Sequence, residues 1–566
     1  MSQSPNATNS KKAETYWQTH AQLLKQAQQA IEERSYWSPY PEMPSGKIYG
    51  ETAKEEGEKA FTDRLGACFT LANHPSNGEM TSDEASPFGA TLNLSYHTAT
   101  ETQLIAAAKQ AQAQWQAASI EARTGICLEI LHRINKQSFQ IAHAVMHTTG
   151  QSFAMAFQAG GPHAQDRALE AVTYAYNEMT RTPANALWEK PMGKQPPAKL
   201  AKSYKIIPRG IALTIGCATF PTWNAYPGIF ASLVTANAVI VKPHPTAILP
   251  LAISIAIARN VLAEAGFDPN IILMACDKKG AEITKTLVAM ADINLIDYTG
   301  SNRFGQWVRE NAKTPHIYTE EAGINPIVIT GTDNFKGMCG NIAMSLSLYA
   351  GQMCTAPQNI FIPRDGIDTD EGHKSFTDIA ESLKKAIDGL LGDTARATAI
   401  LGAIINPDTL KRIADCANKG KVLRASKPVA DIDNPQIVTP LMLLVEKSDD
   451  KIWMTEQFGP ISFIIATDNA EQAIALAGAS IREKGAITAS IYANEEKWLT
   501  QAETELAGAG ALLSCNLAGP ILVNQTAAFS DYHVSGANPA GNASLADTAF
   551  VANRFRIAAI RKPANP

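Results

Sequence analysis

The sequence has no pair of cysteines at CxxC spacing, and its cysteines and histidines form no group at the spacing of zinc ligands. Its eight cysteines are spread over the chain, at positions 68, 127, 217, 276, 339, 354, 416 and 515. This pattern excludes a small domain held together by disulfides and is typical of reduced thiols. We therefore expect neither a disulfide framework nor a bound metal.

Two further absences narrow the class of protein. The formal net charge is -5, so the chain lacks the excess of basic charge that attracts nucleic acid. The longest apolar stretch, Ile248 to Ala258, is too short to cross a bilayer, and the polar start MSQSPNATNSKK is unlike a secretory signal. We expect a cytoplasmic protein that binds neither nucleic acid nor membranes.

The chain does contain enough apolar material for more than one core. Hydrophobic residues make up 45% of its 566 residues, so two or three packed domains are expected. A helix is predicted from Glu14 to Glu33, and the polar stretch Ala72 to Thr91 separates it from a helical region at about 100–180. We place an N-terminal helical extension at residues 1–85.

From Tyr204 onward, short apolar runs alternate with amphipathic stretches, as in βαβ units around a parallel sheet. These runs are IALTIG, AVIVK, IILMA, INLIDY and HIYTE. After Asn325 the alternation recurs in INPIVI, NIFIP, LMLLVE, ISFIIA, AITASIY and ALLSC. The sequence thus predicts an α/β fold with one domain at 86–322, a second at 323–525, and a C-terminal return at 526–566 that includes an edge strand from Phe550 to Ile560.

One cysteine occupies a place suited to a nucleophile. In GQMCTAPQNIFIP, Cys354 follows a predicted helix and precedes a predicted strand, on a loop where backbone amides can face a substrate. A thiolate there could attack a carbonyl carbon, provided that its pKa is lowered and that donors stabilise the oxyanion. Taken alone, the residue is better explained as a cysteine of the core.

A second segment, YTEEAGINP, resembles the glutamate motif of the aldehyde dehydrogenase superfamily. Counting back from Pro326 puts Glu320 at the position of the general base, and Cys354 follows it by 34 residues, the separation of base and nucleophile in that family. The resemblance implies a Rossmann-type cofactor domain, an α/β catalytic domain and a small oligomerisation β element. It also implies oxidation of an aldehyde with a nicotinamide cofactor.

Two more segments are similar to cofactor motifs of that family. YTGSNRFG resembles its phosphate turn, with Gly300, Ser301 and Gly305 at the start of a helix whose amides can bind pyrophosphate. TEQFGP resembles the motif in which a glutamate, here Glu456, holds the nicotinamide ribose and a phenylalanine, here Phe458, packs beside the nicotinamide. In isolation, a helix cap and a core aromatic explain these residues equally well.

The choice of cofactor depends on a third segment, NAVIVKPHP, which resembles the strand whose lysine reaches the adenosine ribose. Lys242 takes that position. Three residues later, many NAD-dependent relatives have a glutamate that binds the ribose 2'-hydroxyl, but this chain has Pro245. Without that carboxylate a 2'-phosphate is not repelled, and Lys242 with His244 could attract it. We predict NADP, with NAD as the alternative.

The oxyanion donor departs from the family pattern. Thr219 occupies the position at which the superfamily normally has an asparagine that donates to the oxyanion. A threonine hydroxyl can donate from a shorter arm, and Asn224, five residues further on, could supply an amide instead. Our hypothesis is that Thr219 or Asn224 is the second donor, beside the backbone amide of Cys354.

The substrate is suggested by segments that look like one branch of the superfamily, the phenylacetic acid degradation proteins called PaaN. These segments are TIGCATFPTWNAYP, YAGQMCTAPQN, LSCNLAGPILVNQTAAFSDYH and SGANPAGNASLADTAFVANRFR. The resemblance implies oxidation of a CoA-linked semialdehyde, formed by opening of an oxepin ring, to 3-oxo-5,6-dehydrosuberyl-CoA. Because the sequence ends soon after its last predicted strand, we expect no fused hydratase-like domain, and a separate ring-opening hydrolase as a transient partner.

Three alternatives stay open at this point. A CoA-acylating dehydrogenase would pass the acyl group to CoA, although Glu320 favours water. A catalytically inert scaffold would keep only the fold. The N-terminal extension could be a docking module, since Trp17, Tyr36, Trp37 and Tyr40 could form an aromatic surface. The family resemblance also implies a homodimer or homotetramer, paired through residues 184–204 and the last strand.

Overall fold

The computed structural model describes residues 5–321, 323–430, 434, 436–523, 529–545 and 547–564. Its helices, numbered along the chain, are α1 Pro5–Glu33, α2 Gly46–Tyr49, α3 Ala53–Thr62, α4 Glu101–Ala117, α5 Ile120–Lys136, α6 Ser138–Thr149, α7 Phe153–Gly160, α8 Pro162–Thr180, α9 Pro221–Val234, α10 Leu249–Glu264, α11 Ile283–Val288, α12 Asn302–Asn311, α13 Phe335–Ser347, α14 Phe376–Leu390, α15 Thr394–Leu401, α16 Pro407–Cys416, α17 Asp450–Trp453, α18 Ala470–Lys484, α19 Glu496–Ala502 and α20 Thr548–Ala552.

The strands are β1 Cys68–Phe69, β2 Met80–Thr81, β3 Ser95–His97, β4 Asn185–Met192, β5 Gln195–Pro208, β6 Ile211–Ile215, β7 Ala238–Lys242, β8 Ile272–Met274, β9 Ile293–Gly300, β10 Ile317–Glu321, β11 Asn325–Ile329, β12 Gly331–Thr332, β13 Pro357–Pro363, β14 Ile367–Thr369, β15 Gly372–Lys374, β16 Lys421–Arg424, β17 Leu441–Glu446, β18 Ile461–Thr467, β19 Thr488–Tyr492, β20 Leu512–Cys515 and β21 Phe555–Pro563.

The first βαβ series forms a five-stranded parallel sheet in the order β10, β9, β6, β7, β8. Every residue of β6 and β7 is buried, because helices cover both faces of a parallel sheet and its strands are then apolar throughout rather than alternating. Each of the five apolar runs predicted after Tyr204 is a strand of this sheet, so the predicted alternation is confirmed.

The second series forms a seven-stranded sheet in the order β16, β17, β18, β13, β11, β19, β20. Only its edge strand β16 runs antiparallel to its neighbour. The six runs predicted after Asn325 are strands of this sheet. The seventh strand, β16, is short and largely exposed and was not predicted. The predicted domain boundaries at 322 and 525 fall outside the described residues, and the division into domains stays a prediction.

A separate three-stranded antiparallel sheet has the order β21, β5, β4. Its strands β4 and β5 cover the segment predicted at 184–204. The predicted edge strand from Phe550 to Ile560 needs a correction, since residues 548–552 form α20 and the strand begins at Phe555. The Asp547 side chain accepts a hydrogen bond from the Phe550 amide, which favours a helical turn there.

The N-terminal extension packs onto the main body. Helix α1 lies against α5 and shares a continuous apolar core with the five-stranded sheet. The Trp17 ring contacts Tyr176 at 5.5 Å between centroids, the Trp37 ring contacts Phe529 at 5.3 Å, and Tyr40 is buried. Packing therefore accounts for Trp17, Trp37 and Tyr40, whereas Tyr36 is 70% exposed. In the described part of the chain, no helix is long and apolar enough to span a membrane.

A buried ion pair ties the C-terminal return to the five-stranded sheet. The Arg554 guanidinium is fully buried, and its Nη1 donates to Asp297 in β9 at 2.9 Å and to the Ser232 hydroxyl at 2.8 Å. An unpaired buried charge is costly, so α20 and β21 can leave this position only at a large energetic cost. The pair thus fixes the end of the chain beside the strand that leads to Gly300.

The three-stranded sheet exposes an unusual number of large apolar side chains. Six of them are more than a third exposed: Leu187, Trp188, Met192, Ile207, Ile557 and Ile560. Contiguous exposed apolar surface commonly marks an interface between proteins.

We expect this sheet to pair subunits, so that charge introduced on it weakens self-association. The double substitution Leu187→Lys with Ile557→Lys should shift the molar mass in light scattering from an oligomer toward the 60.7 kDa of one chain. The control is Ile48→Lys, which changes an exposed apolar residue outside the sheet. An unchanged molar mass in the double variant would rule this interface out.

Candidate active site

The carboxyl ends of the five-stranded sheet bring several predicted site residues to one edge. Strand β7 ends at Lys242, β9 at Gly300 and β10 at Glu321, and all run in the direction of the central strand β6. The chain fills the sheet outward from β6, with β7 and β8 on one side and β9 and β10 on the other. Ligands of open α/β sheets bind outside the carboxyl ends at such a reversal of strand order.

Cys354 lies on the loop between a 3-10 turn, Leu348–Gly351, and strand β13, as the sequence predicts. In this turn Tyr349 and Ala350 have φ values of 51° and 48°, which residues with side chains rarely adopt. The buried Tyr349 hydroxyl donates to the Thr149 carbonyl and so holds the turn in place. The backbone before the nucleophile is therefore strained and fixed.

The Cys354 sulfur contacts the Glu320 carboxylate directly. The thiol donates to Oε1 of Glu320 at 3.5 Å, and Nδ2 of Asn224 donates to the same oxygen at 3.0 Å. Glu320 is only 2% exposed. The structure thus brings together the nucleophile candidate, the base candidate and Asn224, although they come from three distant parts of the chain.

A fourth residue of this cluster, His533, was missed in the sequence. Its Nε2 lies 3.0 Å from Oε1 of Glu320 and 3.8 Å from the Cys354 sulfur. The imidazole packs against the Trp223 ring at 4.5 Å between centroids. His533 is 179 residues from Cys354 and sits in no catalytic motif, so no spacing could have linked the two.

The surroundings keep the resting nucleophile protonated. Burial is the main reason that the pKa of the Cys354 thiol lies well above its usual value, and the Glu320 charge and the Cys217 thiol raise it further. The backbone amide of Cys354 acts in the opposite direction, because it donates toward the sulfur. Activation therefore requires that a base take the thiol proton, and Glu320 is in contact with it.

The two candidate oxyanion donors are placed differently. Asn224, near the start of α9, lines the cavity beside Cys354, and its Oδ1 accepts from the Cys217 thiol at 3.3 Å, which turns Nδ2 toward Glu320. Thr219 is absent from the cavity lining, and its hydroxyl is 3.9 Å from the Cys217 sulfur. The geometry favours Asn224 over Thr219 as the donor that faces a substrate.

Lys242 and His244 lie together at the end of β7. The Lys242 ammonium is buried, pairs with Asp277 at 2.7 Å and donates to the Pro243 carbonyl at 2.7 Å. Burial lowers the pKa of His244 to about 4, with smaller contributions from Lys242 and Lys279. At neutral pH His244 is therefore uncharged, and it does not supply the positive charge that the sequence analysis expected from it.

Gly300, Ser301 and Gly305 form a tight turn into α12. The Ser301 hydroxyl accepts from the Phe304 amide at 3.4 Å and caps the helix. At Gly305 an added Cβ would lie 2.3 Å from the Glu321 carboxylate, so a larger residue would have to displace that side chain. Backbone amides at the start of a helix such as α12 suit a pyrophosphate.

Glu456 and Phe458 lie on the loop before β18. Burial raises the pKa of Glu456 to about 7; Arg412 opposes this shift and Glu321 adds to it. Phe458 has a φ of 39°, and its carbonyl accepts from Arg412. A Cβ added at Gly351 would lie 2.4 Å from the Gly459 carbonyl. The loop that carries Glu456 and Phe458 therefore packs closely against the 3-10 turn that precedes Cys354.

A cavity of about 560 Å³ opens onto Cys354. Its walls come mainly from α7, α9, α13 and the segment at 519–522, and they are largely apolar. The polar side chains closest to the nucleophile are Asn224 and His533. A volume of this size suits an elongated small molecule whose reactive carbonyl group reaches the sulfur.

The atoms of Cys354, Glu320 and His533 that could bind a metal lie within 4.8 Å of one another, a spacing that could also accommodate a divalent cation. Sequence spacing could not reveal this group, because its members meet only in the folded chain. A nucleophile, Cys354, in contact with a base, Glu320, explains the same group of side chains without a metal.

The aldehyde dehydrogenase family matches residues 75–538 of the sequence. The chain belongs to this family. NAD(P)-dependent oxidation of an aldehyde to an acid is the activity that goes with this membership, and the contact between Cys354 and Glu320 is the matching chemistry.

Individual relatives agree with this assignment. The crystal structure of an NAD-dependent aldehyde dehydrogenase from Burkholderia multivorans is 50% identical, with a TM-score of 0.95 over 97% of this chain and 99% of that one. Benzaldehyde dehydrogenase [NAD(+)] of Pseudomonas putida is 23% identical over 66% of this chain and 72% of its own. Lactaldehyde dehydrogenase of Methanococcus maripaludis is 24% identical, and the matched region covers 51% of this chain and 59% of that enzyme.

We expect Asn224→Ala to reduce kcat about 100-fold or more, the usual cost of losing one oxyanion donor. Thr219→Ala should change kcat much less, because that side chain is not part of the cavity wall. Steady-state kinetics of both variants under saturating aldehyde would test the assignment. Equal losses in the two variants, or none in Asn224→Ala, would contradict it.

Proposed function

We propose that this enzyme oxidises a CoA-linked semialdehyde, 3-oxo-5,6-dehydrosuberyl-CoA semialdehyde, to its acid with NADP. The observation that carries the chemistry is the direct contact of the Cys354 thiol with the buried Glu320 carboxylate at the end of an apolar cavity. The choice of substrate is supported by the four segments that resemble the PaaN branch. This choice of substrate is more specific than the membership in the family.

The reaction starts when Glu320 takes the Cys354 proton and the thiolate adds to the aldehyde carbon. The new S–C bond converts the carbonyl oxygen into an oxyanion, which the Cys354 amide and one N–H of the Asn224 amide would stabilise, while the other N–H of Asn224 donates to Glu320. The nicotinamide cofactor, when bound, accepts a hydride from the substrate carbon. The remaining acyl group is then a thioester on Cys354.

Thioester hydrolysis needs a base beside the sulfur, and Glu320 fills that place. Its proton must first leave the site so that the carboxylate can accept one from water. Water then forms the new C–O bond, the C–S bond breaks, and the acid is released. A CoA-acylating enzyme has no use for this base, so the presence of Glu320 beside Cys354 favours water as the acceptor.

The cofactor would lie along the carboxyl ends of the five-stranded sheet. Lys242 would face its adenosine ribose, the turn at Gly300 and Ser301 its pyrophosphate, and Glu456 its nicotinamide ribose. The cap formed by Ser301 at the start of α12 fits this arrangement, since backbone amides at a helix N-terminus attract an anion.

A second candidate substrate, a free apolar aldehyde, is favoured by the cavity itself. No lysine or arginine is among the residues that line it within the described part of the chain. The phosphates of CoA would therefore have to lie outside the cavity, with only the acyl chain inside. A free aromatic or aliphatic aldehyde would need no such arrangement.

We expect NADP reduction with the ring-opened CoA semialdehyde, generated in place by a separate hydrolase, and none by the Cys354→Ala variant. The CoA-linked aldehyde should exceed benzaldehyde and simple aliphatic aldehydes in kcat/KM. Equal values would favour the second candidate, and turnover that required added free CoA would favour the acylating enzyme. Complete inactivity toward every aldehyde would favour the inert scaffold.

For the cofactor, we expect a higher kcat/KM with NADP than with NAD. Lys242 is already paired with Asp277, and Lys279 adds a second positive charge near His244. Pro245→Glu should lower kcat/KM for NADP about 10-fold or more by repulsion of the 2'-phosphate, whereas Pro245→Ala controls for loss of the ring. A preference of the wild-type enzyme for NAD, the cofactor after which the Burkholderia relative is named, would refute the proposal.

A further inference from the structure

We propose that His533 is a positioning residue for thioester hydrolysis: it holds Oε1 of Glu320 and thereby leaves the other carboxylate oxygen, Oε2, for the attacking water. This inference rests on the proposed hydrolytic function. It gives a role to a buried histidine that no catalytic motif contains.

The geometry around Glu320 is strongly asymmetric. Oε1 accepts from Nδ2 of Asn224 at 3.0 Å and from the Cys354 thiol at 3.5 Å, and it lies 3.0 Å from Nε2 of His533. An ionised carboxylate can only accept, so Nε2 of His533 carries the proton in this contact. Three donors therefore converge on a single oxygen.

The second oxygen has a different environment. Oε2 of Glu320 is buried and makes no hydrogen bond to any residue in the part of the chain that the structure describes. A buried carboxylate oxygen without a donor is costly unless the working enzyme supplies one. A water molecule that attacks the thioester would be such a donor.

The hydrolytic step then divides the work between the two oxygens. Water gives its proton to Oε2 as its oxygen bonds to the acyl carbon, and the electron pair of the breaking C–S bond returns to the Cys354 sulfur. Throughout, Nε2 of His533 and Nδ2 of Asn224 keep Oε1 in place. Without His533 the Glu320 carboxylate can rotate toward Asn224, so that Oε2 no longer points toward the attacking water.

His533 is itself held firmly. It is 2% exposed and packs edge-on against the Trp223 ring. Two residues near it, Ser530 and Val534, have positive φ values of 68° and 61°, so the loop that carries it is strained and must be fixed by its surroundings.

The contacts that fix this loop come from distant parts of the chain. The Ser530 amide donates to the buried Glu170 carboxylate, and Arg167 donates to the Asp531 carbonyl at 3.1 Å. From the N-terminal extension, Arg34 donates to the Ser530 carbonyl at 3.3 Å and to the Tyr532 hydroxyl at 3.0 Å. The extension thus braces the loop that positions Glu320.

The test compares His533→Phe with His533→Gln in the full-length enzyme. Phenylalanine keeps the packing on Trp223 but has no N–H, whereas the glutamine amide restores a donor. In rapid mixing with aldehyde and NADP, His533→Phe should form about one NADPH per active site quickly and then turn over about 100-fold more slowly than wild type. His533→Gln should recover at least part of the steady-state rate.

Two results would overturn the role of His533. The first is steady-state turnover of His533→Phe within twofold of wild type. The second is loss of the initial NADPH burst together with turnover, which would show that the residue acts before hydrolysis or only supports the fold. If wild type itself does not reduce NADP, or if Cys354→Ala remains active, the proposed function fails instead, so the two failures are distinguishable.

A second comparison tests the brace from the extension. Arg34→Ala should slow steady-state turnover while preserving the burst, in the same direction as His533→Phe but by a smaller factor. Lys25→Ala removes an exposed charge from α1, the helix that ends just before Arg34, and serves as the matched control. A loss of burst in Arg34→Ala, or equal effects in the two variants, would exclude the brace.

Discussion

The burial of the Glu320 carboxylate is the constraint on which the rest of the site depends. A carboxylate taken out of water must be surrounded by hydrogen-bond donors, and these cannot come from its own strand. They come from α9, from the loop after the 3-10 turn, and from the loop at 529–533. Each of these elements is locked elsewhere: α9 by its packing in the apolar core, the turn by the Tyr349 hydroxyl, and the last loop by Arg34, Arg167 and Glu170.

The same burial explains why the resting enzyme holds a thiol rather than a thiolate. An apolar cavity and an adjacent negative charge both disfavour ionisation of Cys354. This costs reactivity at rest, but it also protects the sulfur from oxidation, which proceeds through the thiolate. Proton transfer to Glu320 removes the negative charge at the moment the thiolate forms, so the thiol becomes reactive only as the carboxylate takes its proton.

The N-terminal extension and the C-terminal return both contact elements that carry site residues. The N-terminal extension packs on α5 and reaches the loop of His533 through Arg34, and the C-terminal return is tied to β9 through Arg554 and Asp297. Strand β9 leads to the Gly300 turn, where the cofactor pyrophosphate is expected. The two ends of the chain thus help to position groups near the reacting atoms.

The sequence by itself determined the α/β fold and nearly all strands of the two large sheets, because apolar periodicity is a local property of the chain. The pairing of Cys354 with Glu320 was predicted from the resemblance of two motifs, and their separation, to those of the family. It did not reveal His533, the preference for Asn224 over Thr219, or the neutral state of His244. Those depend on which side chains meet across 100 or more residues and on how deeply they are buried. Only tertiary packing decides such contacts and the pKa shifts that burial causes.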